Sequence, residues 1–229
     1  MRTLAIGDVH GCLTALDALL EIVQPVRGDT LITLGDYIDR GPDSKGVISR
    51  LIELSSRTTV IPLRGNHEEI LQEATFHPSV FRSWLSFGGE ETIQSYSGSP
   101  HSFEMRDIPM DHWHFLNKRL RDYHETDTHI FVHGGVNPST PMHRQSPRDL
   151  RWLRFNNPEP HVSGKVVVCG HTPQESGRPR NLRHSVCIDT WAYGDGFLTC
   201  YDVKSGKCWQ ADQKARTRFL HINECLAPS

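Results

Sequence analysis

Three short apolar segments near the N-terminus constrain the fold most, because each ends in a glycine beside polar side chains. They read RTLAIGD, DTLITLGD and TTVIPLRGN, at residues 2–8, 29–36 and 58–66. Apolar residues with helical spacing fill the interval 13–23, and an amphipathic pattern begins at Ser44, which we predict as a helix N-cap. A strand-to-strand repeat of about 30 residues is typical of βαβ units. The first third therefore predicts two successive crossovers with parallel strands.

The remainder of the chain divides into a helical part and a strand-rich part. We predict a third helix from His67 and helical stretches at VFRSWLSF and HWHFLNKRL, with a glycine- and serine-rich loop from GGEE to SYSGSP between those two. Strand patterns return at HIFVHGG, KVVVCGHTP, HSVCIDT, GFLTCYDV and KCWQA, and the last three have hairpin-like spacing. We expect one domain over 1–229, with a mixed or antiparallel second half and a helical insertion or cap at about 75–127.

Length and composition exclude several classes of protein. The chain has 229 residues, which suffice for one buried core, and its formal net charge of -2 gives no polybasic signal for nucleic acid or membranes. It contains no apolar run of 18 residues and no signal-peptide pattern. Its six cysteines form no CxxC pair, which indicates free thiols in a reducing compartment. We expect a cytoplasmic monomer that binds neither nucleic acid nor membranes.

Five predicted strands end in polar signatures, which read GDVHG, GDYIDRG, GNHEE, HGG and GHT in chain order. Ligands of open α/β sheets bind beyond the carboxyl ends of the strands. The side chains placed there offer oxygen and imidazole nitrogen but no thiolate, which suits manganese, iron or zinc. The candidates are Asp8, His10, Asp36, Asp39, Arg40, Asn66, His67, His133 and His171.

The spacing of these residues allows two metal sites that share one carboxylate. Asp8 and His10 lie two positions apart in a turn, so both can face one ion. Asp36 can bridge to a second ion, which Asn66, His133 and His171 can complete. Two divalent ions about 3.5–4 Å apart can clamp a phosphoryl group and activate water.

Each signature alone has a structural explanation that is at least as good. HGG and GHT are mostly turns, and an isolated arginine is usually a surface residue. All five signatures in this order, each after an apolar strand, are far harder to explain as turns alone. We therefore predict a functional site.

The ordered set of motifs resembles the phosphoprotein phosphatase family of calcineurin-like metallophosphoesterases, above all the compact bacterial and bacteriophage-lambda type. The motifs span residues 7–172, and IDT at 188–190 with GFLTCYD is similar to the family's closing strands. The resemblance implies a mixed α/β fold in which two mixed β-sheets form a sandwich flanked by helices. It also implies two divalent ions, with Mn²⁺ expected to support activity in vitro and Fe or Zn as alternatives.

The resemblance also implies roles for single residues. Asp8, His10 and the bridging Asp36 match the ligands of one metal, and Asp36, Asn66, His133 and His171 match those of the other. His67 matches the general acid, and Asp39 matches the carboxylate that orients it. Arg40 matches a phosphate-binding arginine and Arg154 is similar to a second one, with Arg151 as an alternative alignment. We expect Asn66 to contact the substrate phosphate as well as the metal. Glu68 and Glu69 are expected only to begin the next helix.

The sequence departs from the family pattern in two places. Trp191 follows IDT where the family often has glycine; its indole could narrow the cleft, stack on a substrate or simply fill the core. The GHTP signature lacks the second histidine of the GHxH motif of the nuclease and phosphodiesterase branches, which argues against a nuclease.

Three functions are open on this basis. The first is hydrolysis of phosphoserine and phosphothreonine in proteins, extending to phosphotyrosine or small aryl phosphates, by in-line attack of a hydroxide that bridges two metals. The second is hydrolysis of dinucleoside tetraphosphates, whose enzymes share the metal set and the RGPDS stretch, although many of them lack an acid at the position of Asp39. The third is a scaffold without activity, which would be expected to have lost ligands. We favour the protein phosphatase.

Overall fold

The structure is a computed structural model that describes residues 1–98 and 103–227. Its strands, numbered in chain order, are β1 (Thr3–Ile6), β2 (Thr30–Thr33), β3 (Thr59–Pro62), β4 (Tyr123–Glu125), β5 (His129–Val132), β6 (Val166–Cys169), β7 (Arg180–Asn181), β8 (Ser185–Cys187), β9 (Leu198–Asp202), β10 (Lys207–Ala211) and β11 (Thr217–His221). Its α-helices are α1 (Leu13–Val23), α2 (Ser44–Leu54), α3 (Asn66–Ala74), α4 (Pro78–Trp84), α5 (Glu90–Ser97), α6 (Met110–His114) and α7 (Pro147–Trp152).

The strands form two mixed sheets. The first has the order β11-β10-β9-β1-β2-β3, in which β1, β2 and β3 are parallel and the other pairs are antiparallel. The second has the order β4-β5-β6-β8-β7, with β5, β6 and β8 parallel between two antiparallel edge strands. The predicted fold class, two mixed sheets with helices, is confirmed, and so are the two parallel crossovers near the N-terminus.

Alternating side chains of the strands build three buried layers. In β1, Leu4 and Ile6 pack with the helices on the outer face of the first sheet, whereas Ala5 faces the layer between the sheets. In the second sheet, Phe131 and Val168 join that inner layer, and their strand neighbours pack outward with α7 and the loops around it. Both faces of the strands are therefore covered, which explains why they are continuous apolar runs in the sequence.

Several elements differ from their predictions. The N-cap of α2 is Asp43, whose carboxylate accepts a 2.7 Å hydrogen bond from Gly46 N, and Ser44 is the first helical residue. The hairpin-like spacing of the last three predicted strands gave one wrong pairing. β9 and β10 do form a hairpin in the first sheet, but β8 belongs to the second sheet. Spacing records only the length of a connection and not which sheet receives the strand. The short strands β4 and β7 and the edge strand β11 were not predicted.

The segment at 75–127 is largely helical in its described part. It holds α4, α5 and α6, with π-helical turns at Leu85–Gly89 and Phe115–Arg119. The stretch predicted as a glycine- and serine-rich loop instead forms α5, because Thr92 and Ile93 are buried, and only residues 99–100 of that prediction lie outside the described residues. The role of this segment as an insertion or cap stays a prediction. No helix of the described residues is long and apolar enough to cross a membrane.

Candidate active site

The predicted site residues meet at one edge of the molecule because they follow strands of both sheets. Asp8 and His10 follow β1, the segment 36–40 follows β2, and Asn66 and His67 open α3 directly after β3. His133 and His171 follow β5 and β6 of the second sheet. These strands are parallel within each sheet, so their carboxyl ends converge on one place.

The backbone of these turns is strained at several functional positions. The residues with left-handed backbone are His10 (φ 44°), Asp36 (φ 50°), Asp39 (φ 73°), Arg40 (φ 68°) and His171 (φ 62°). This conformation costs a non-glycine residue about 1–2 kcal/mol. Such strain persists where the surrounding structure fixes it, and it concentrates at functional sites.

Asp36 lies at the centre of the cluster. Its Oδ2 atom is 3.4 Å from His10 Nε2 and 3.4 Å from His133 Nε2, and 3.9 Å from His67 Nε2. Burial alone raises the pKa of this carboxyl, but the surrounding histidines lower it below its usual range. A single ionised carboxylate is thus placed between two groups of imidazoles.

Two of these imidazoles are oriented by the main chain. His10 Nδ1 is 2.9 Å from Ile38 O, and His133 Nδ1 is 2.8 Å from Leu34 O. Each ring therefore donates a proton from Nδ1 to a carbonyl and keeps a lone pair on Nε2, which is the usual arrangement of a metal-binding histidine. Burial lowers the pKa of both rings, so both are neutral at neutral pH, the form that a metal ligand requires.

Asn66 and His171 complete the second group. Asn66 Oδ1 lies 2.9 Å from His133 Nε2 and 2.9 Å from His171 Nδ1. Burial, with a further contribution from His133, lowers the pKa of His171 to about 4. An amide oxygen and two neutral imidazoles therefore converge beside Asp36, which is a donor set suited to a divalent ion.

Asp8 carries the clearest sign of a missing partner. Its Oδ2 accepts a 2.9 Å hydrogen bond from His171 N, but its Oδ1 is buried without any hydrogen-bond partner. Burial and the nearby carboxylates of Asp189 and Asp36 raise the pKa of Asp8 well above its usual value. Asp189 has a buried unpartnered oxygen as well. A buried carboxylate of this kind stays ionised only beside a positive charge, which a bound cation would supply.

Two groups of donor atoms within 4.8 Å of one another follow from this geometry among the described residues. One contains His10, Asp36 and His67, and the other contains Asp36, His133 and His171. The residues present therefore fit a pair of divalent ions that share Asp36, and the full ligand set stays a prediction. The first group contains His67, whereas the prediction had Asp8 in its place. Distance alone therefore does not decide whether His67 is a metal ligand or a general acid.

The hydrogen bonds of His67 point to its role more clearly than its distances. His67 Nδ1 lies 2.6 Å from Asp39 Oδ2, which leaves Nε2 directed to the cluster. Burial lowers the pKa of His67, but the charges of Asp36 and Asp39 and the bond to Asp39 outweigh this effect and raise it. The ring is therefore biased towards the protonated form, unlike the three other histidines of the cluster.

Asp39 is held by two side chains that sequence reasoning missed. Trp84 Nε1 donates to both of its oxygens at 3.0 Å, and Thr92 Oγ1 donates to Oδ1 at 2.6 Å. Both residues come from the helical segment around α4 and α5 and are fully buried. The only signal in the sequence was the pair of glycines between them, which allows a close approach.

Glu68 is a second omission, since the sequence suggested only a helix start. Its carboxylate accepts hydrogen bonds from Asp36 N (3.0 Å), Tyr37 N (2.8 Å) and Gly65 N (3.0 Å). Burial, together with the charge of Asp36, raises its pKa to about 7. Glu68 thus ties the turn after β2 to the start of α3 and fixes the main chain of Asp36. Its place three residues after the N-cap glycine was the available signal.

Three contacts hold Arg40 in place. Its main-chain N donates to Gly88 O at 3.0 Å, its guanidinium lies 4.6 Å from the ring centroid of Tyr193, and its NH1 is 3.2 Å from His10 Nε2. A guanidinium over an aromatic face is held by cation–π attraction. Tyr193 belongs to the loop after IDT and was not predicted.

The structure separates the two candidates for a second phosphate-binding arginine. Arg151 is buried and pairs with Glu69 and with Asp122, the latter at 2.6 Å. Arg154 is exposed and lines the cleft above the cluster. Glu69 also accepts a 2.6 Å bond from Trp152 Nε1, so it anchors the 151–154 stretch to α3.

The cleft above the cluster has a volume of about 440 Å³ and aromatic walls. Phe87, Trp152, Trp191 and Tyr193 line it together with Arg40 and Arg154. Trp191 has φ 64° and its indole fills the space where Gly194 has no side chain. Of the alternatives for Trp191, lining of the cleft agrees with this position, and the residue is half-buried rather than part of the core.

Comparison with known proteins identifies the class. The model of the calcineurin-like phosphoesterase family matches residues 1–221. Serine/threonine-protein phosphatase 1 of Salmonella typhimurium (strain LT2) is 38% identical over 203 residues, covering 85% of this chain and 88% of the relative. A symmetrical bis(5'-nucleosyl)-tetraphosphatase of Acidovorax sp. (strain JS42) is 41% identical over 78 residues, covering 33% of this chain and 27% of the relative.

A solved structure agrees with the fold. The cold-active protein-tyrosine phosphatase of a psychrophilic Shewanella has a TM-score of 0.65 and 14% identity, covering 96% of this chain and 80% of that one. The chain belongs to the calcineurin-like phosphoesterase family, and the predicted family is confirmed. It is a metal-dependent phosphoesterase with candidate ligand groups for the dinuclear centre of that family.

Proposed function

We propose that the protein is a phosphomonoesterase that hydrolyses phosphoserine and phosphothreonine in proteins. The observation that carries this proposal is the 2.6 Å contact between His67 Nδ1 and Asp39 Oδ2. An alkoxide from serine is a poor leaving group and needs a proton, whereas a pyrophosphate leaves without one. An imidazole held by a carboxylate with its second nitrogen facing the site is the arrangement of a general acid.

The roles of the site residues follow the same proposal. Asp8, His10, Asp36, Asn66, His133 and His171 hold two divalent ions, for which we propose Mn²⁺ as the activating metal in vitro. The chemistry that such a pair supplies is activation of water and stabilisation of phosphoryl charge. Arg40 and Arg154 bind non-bridging phosphate oxygens with Asn66 beside them, and His67 donates its Nε2 proton to the leaving oxygen while Asp39 keeps the ring in place.

A second candidate function is hydrolysis of dinucleoside tetraphosphates. It is supported by the aromatic walls of the cleft, since Trp152, Trp191 and Tyr193 offer faces on which a nucleobase can stack. The name of the Acidovorax relative supports it too, although that likeness covers a third of this chain. The scaffold hypothesis has less support, because the predicted ligands are all present and close together.

Two further expectations belong to this proposal. The described cysteines are all buried and free, which supports a reducing compartment such as the cytoplasm. We also propose that the protein is a monomer that acts on phosphoproteins or small phosphate esters. Light scattering of the purified protein tests its oligomeric state.

The experiment that tests the function is turnover of the Mn²⁺-loaded protein on three substrates in parallel. They are a phosphoserine peptide, diadenosine tetraphosphate and p-nitrophenyl phosphate. We expect phosphate release from the peptide with a kcat/KM well above that for the dinucleotide. Preferential cleavage of the dinucleotide would support the second candidate function instead. No turnover of any of the three substrates would favour the scaffold hypothesis.

The variant His67→Asn sharpens this test, because the general acid matters most for a poor leaving group. We expect kcat on the peptide to fall by about 10²–10⁴-fold, with a much smaller fall on p-nitrophenyl phosphate and unchanged metal content. The exposed His143→Asn is the matched control and should behave as wild type. Loss of metal in His67→Asn would make His67 a ligand instead of the acid.

A further inference from the structure

The helical segment around α4 and α5 contacts the turn after β2 at Asp39 and at Arg40, whose main-chain N donates to Gly88 O at 3.0 Å. Thr92 Oγ1 donates to Asp39 Oδ1 at 2.6 Å and accepts from Asp39 N at 2.8 Å. Trp84 Nε1 lies 3.0 Å from each carboxylate oxygen. Thr92 therefore fixes both the main chain and the side chain of Asp39, and Trp84 fixes the plane of the carboxylate.

The three residues are fully buried, so these contacts are not exchanged with solvent. Asp39 has no freedom left, because its remaining oxygen contact is the 2.6 Å bond to His67 Nδ1. Removing one donor from a buried carboxylate leaves it under-satisfied and free to turn, and the imidazole that it holds turns with it.

The glycines between the two helices serve this arrangement. A side chain at Gly89 would place its Cβ 2.6 Å from the Trp84 indole, and one at Gly88 would place it 2.6 Å from Arg40 N. Gly88 also has φ 105°, which other residues rarely adopt. The turn between α4 and α5 is thus shaped so that both helices can contact the 39–40 stretch.

We propose that Thr92 and Trp84 are positioning residues for proton donation by His67, so that α4 and α5 support the active site through Asp39. The inference rests on the proposed function, since it concerns the acid that this function requires. It assigns a role to a segment that the sequence showed only as helices of unknown purpose. A purely structural role for Thr92 would affect the stability of the fold but not the dependence on the leaving group.

The test compares Thr92→Val, which keeps the shape but removes the hydroxyl, with Thr92→Ser, which keeps the hydroxyl. We expect Thr92→Val to lower kcat on the phosphoserine peptide by about 10–100-fold, the range typical of residues that orient a functional group. Its kcat on p-nitrophenyl phosphate should change by less than about threefold, because nitrophenolate needs no proton. Thr92→Ser should stay near wild type on both, and KM should be unchanged in each variant.

Phenyl phosphate extends the test to a protein that does not cleave peptides. Its leaving group is poorer than nitrophenolate, so Thr92→Val should lower its turnover more than that of p-nitrophenyl phosphate. A wild type without peptide activity would overturn the proposed function, while this aryl pair would still decide the role of Thr92. Equal losses on both aryl esters, or no loss on either, would overturn the inference.

A second variant covers the case in which Thr92→Val does not fold. Trp84→Phe keeps an aromatic ring against Gly89 but removes the N–H donor to Asp39, and it should give the same selective loss. Metal content and the thermal unfolding midpoint are measured for every variant. Unchanged metal content with a selective loss on poor leaving groups supports the inference, and loss of metal contradicts it.

Discussion

The two sides of the active site are built in different ways. On the proposed metal side, His10 and His133 contact the main-chain carbonyls of Ile38 and Leu34, which follow β2, and the main-chain N of Asp36 donates to Glu68. On the leaving-group side, Asp39 is fixed by Trp84 and Thr92, which lie 45 and 53 residues away in the sequence. These contacts on the metal side all involve main-chain atoms that follow a strand, whereas the contacts on the leaving-group side are made by side chains of α4 and α5.

This difference suggests that the metal chemistry and the choice of substrate depend on different parts of the molecule. A metal pair needs six donors at fixed distances, and parallel strand ends supply fixed distances. Leaving-group protonation and phosphate orientation need one or two side chains each, so they can be supported by any segment that reaches them. Changes on the metal side should therefore affect every substrate, and changes on the other side should affect some substrates more than others.

The largest expected effect is that of Asp36→Asn on the metal side. Asp36 Oδ2 serves both groups of imidazoles, so its loss should weaken binding of both ions and abolish turnover on every substrate. We expect metal affinity to fall by more than about 100-fold, since even partners outside the ligand set cost about 10–100-fold. Elemental analysis and equilibrium dialysis measure it. The surface variant Asp17→Asn should keep full metal content, and normal metal binding in Asp36→Asn would refute a shared ligand.

A smaller effect on the same side is expected from Gly65→Ala. A Cβ there would lie 2.0 Å from Asp36 Oδ1, so the carboxylate must move. We expect metal affinity to fall by about 10–100-fold and turnover to fall equally on all substrates. Gly164→Ala is the control for a general loss of stability. Its φ of 71° makes an alanine there cost about 1–2 kcal/mol, but the space around it is open, so metal affinity should not change. A loss of turnover on only some substrates in Gly65→Ala would contradict the expectation that changes on the metal side affect every substrate equally.

The smallest effect is expected at Tyr193, on the other side of the site. Its ring lies under the Arg40 guanidinium, and cation–π attraction at such sites is worth about 0.5–1 kcal/mol, or roughly 2–5-fold in affinity. Tyr193→Leu should raise KM and weaken inhibition by inorganic phosphate by that factor, with metal content unchanged. Tyr193→Phe keeps the ring and should match wild type. The same loss in an Arg40→Ala background would show that Tyr193 acts independently of Arg40.

The sequence was most informative where function and local structure coincide. The helix predicted at 13–23 is α1, and the side chains of the strand signatures lie at one edge of the molecule, because side chains that follow parallel strands must meet there. It was least informative for pairing, since the spacing that suggested a hairpin after β8 does not reveal that β8 and β9 lie in different sheets.

The sequence by itself determined the family, the sheet-and-helix architecture of the first third and the chemical nature of the site. Only the tertiary structure decided that Arg151 is a buried ion pair while Arg154 faces the cleft. It also decided that Trp84 and Thr92 donate to Asp39 and that Tyr193 packs against Arg40. Motifs after strands are local, so their spacing survives in the sequence. Contacts across 45 or more residues are chosen by packing, which leaves no period and no fixed spacing to read.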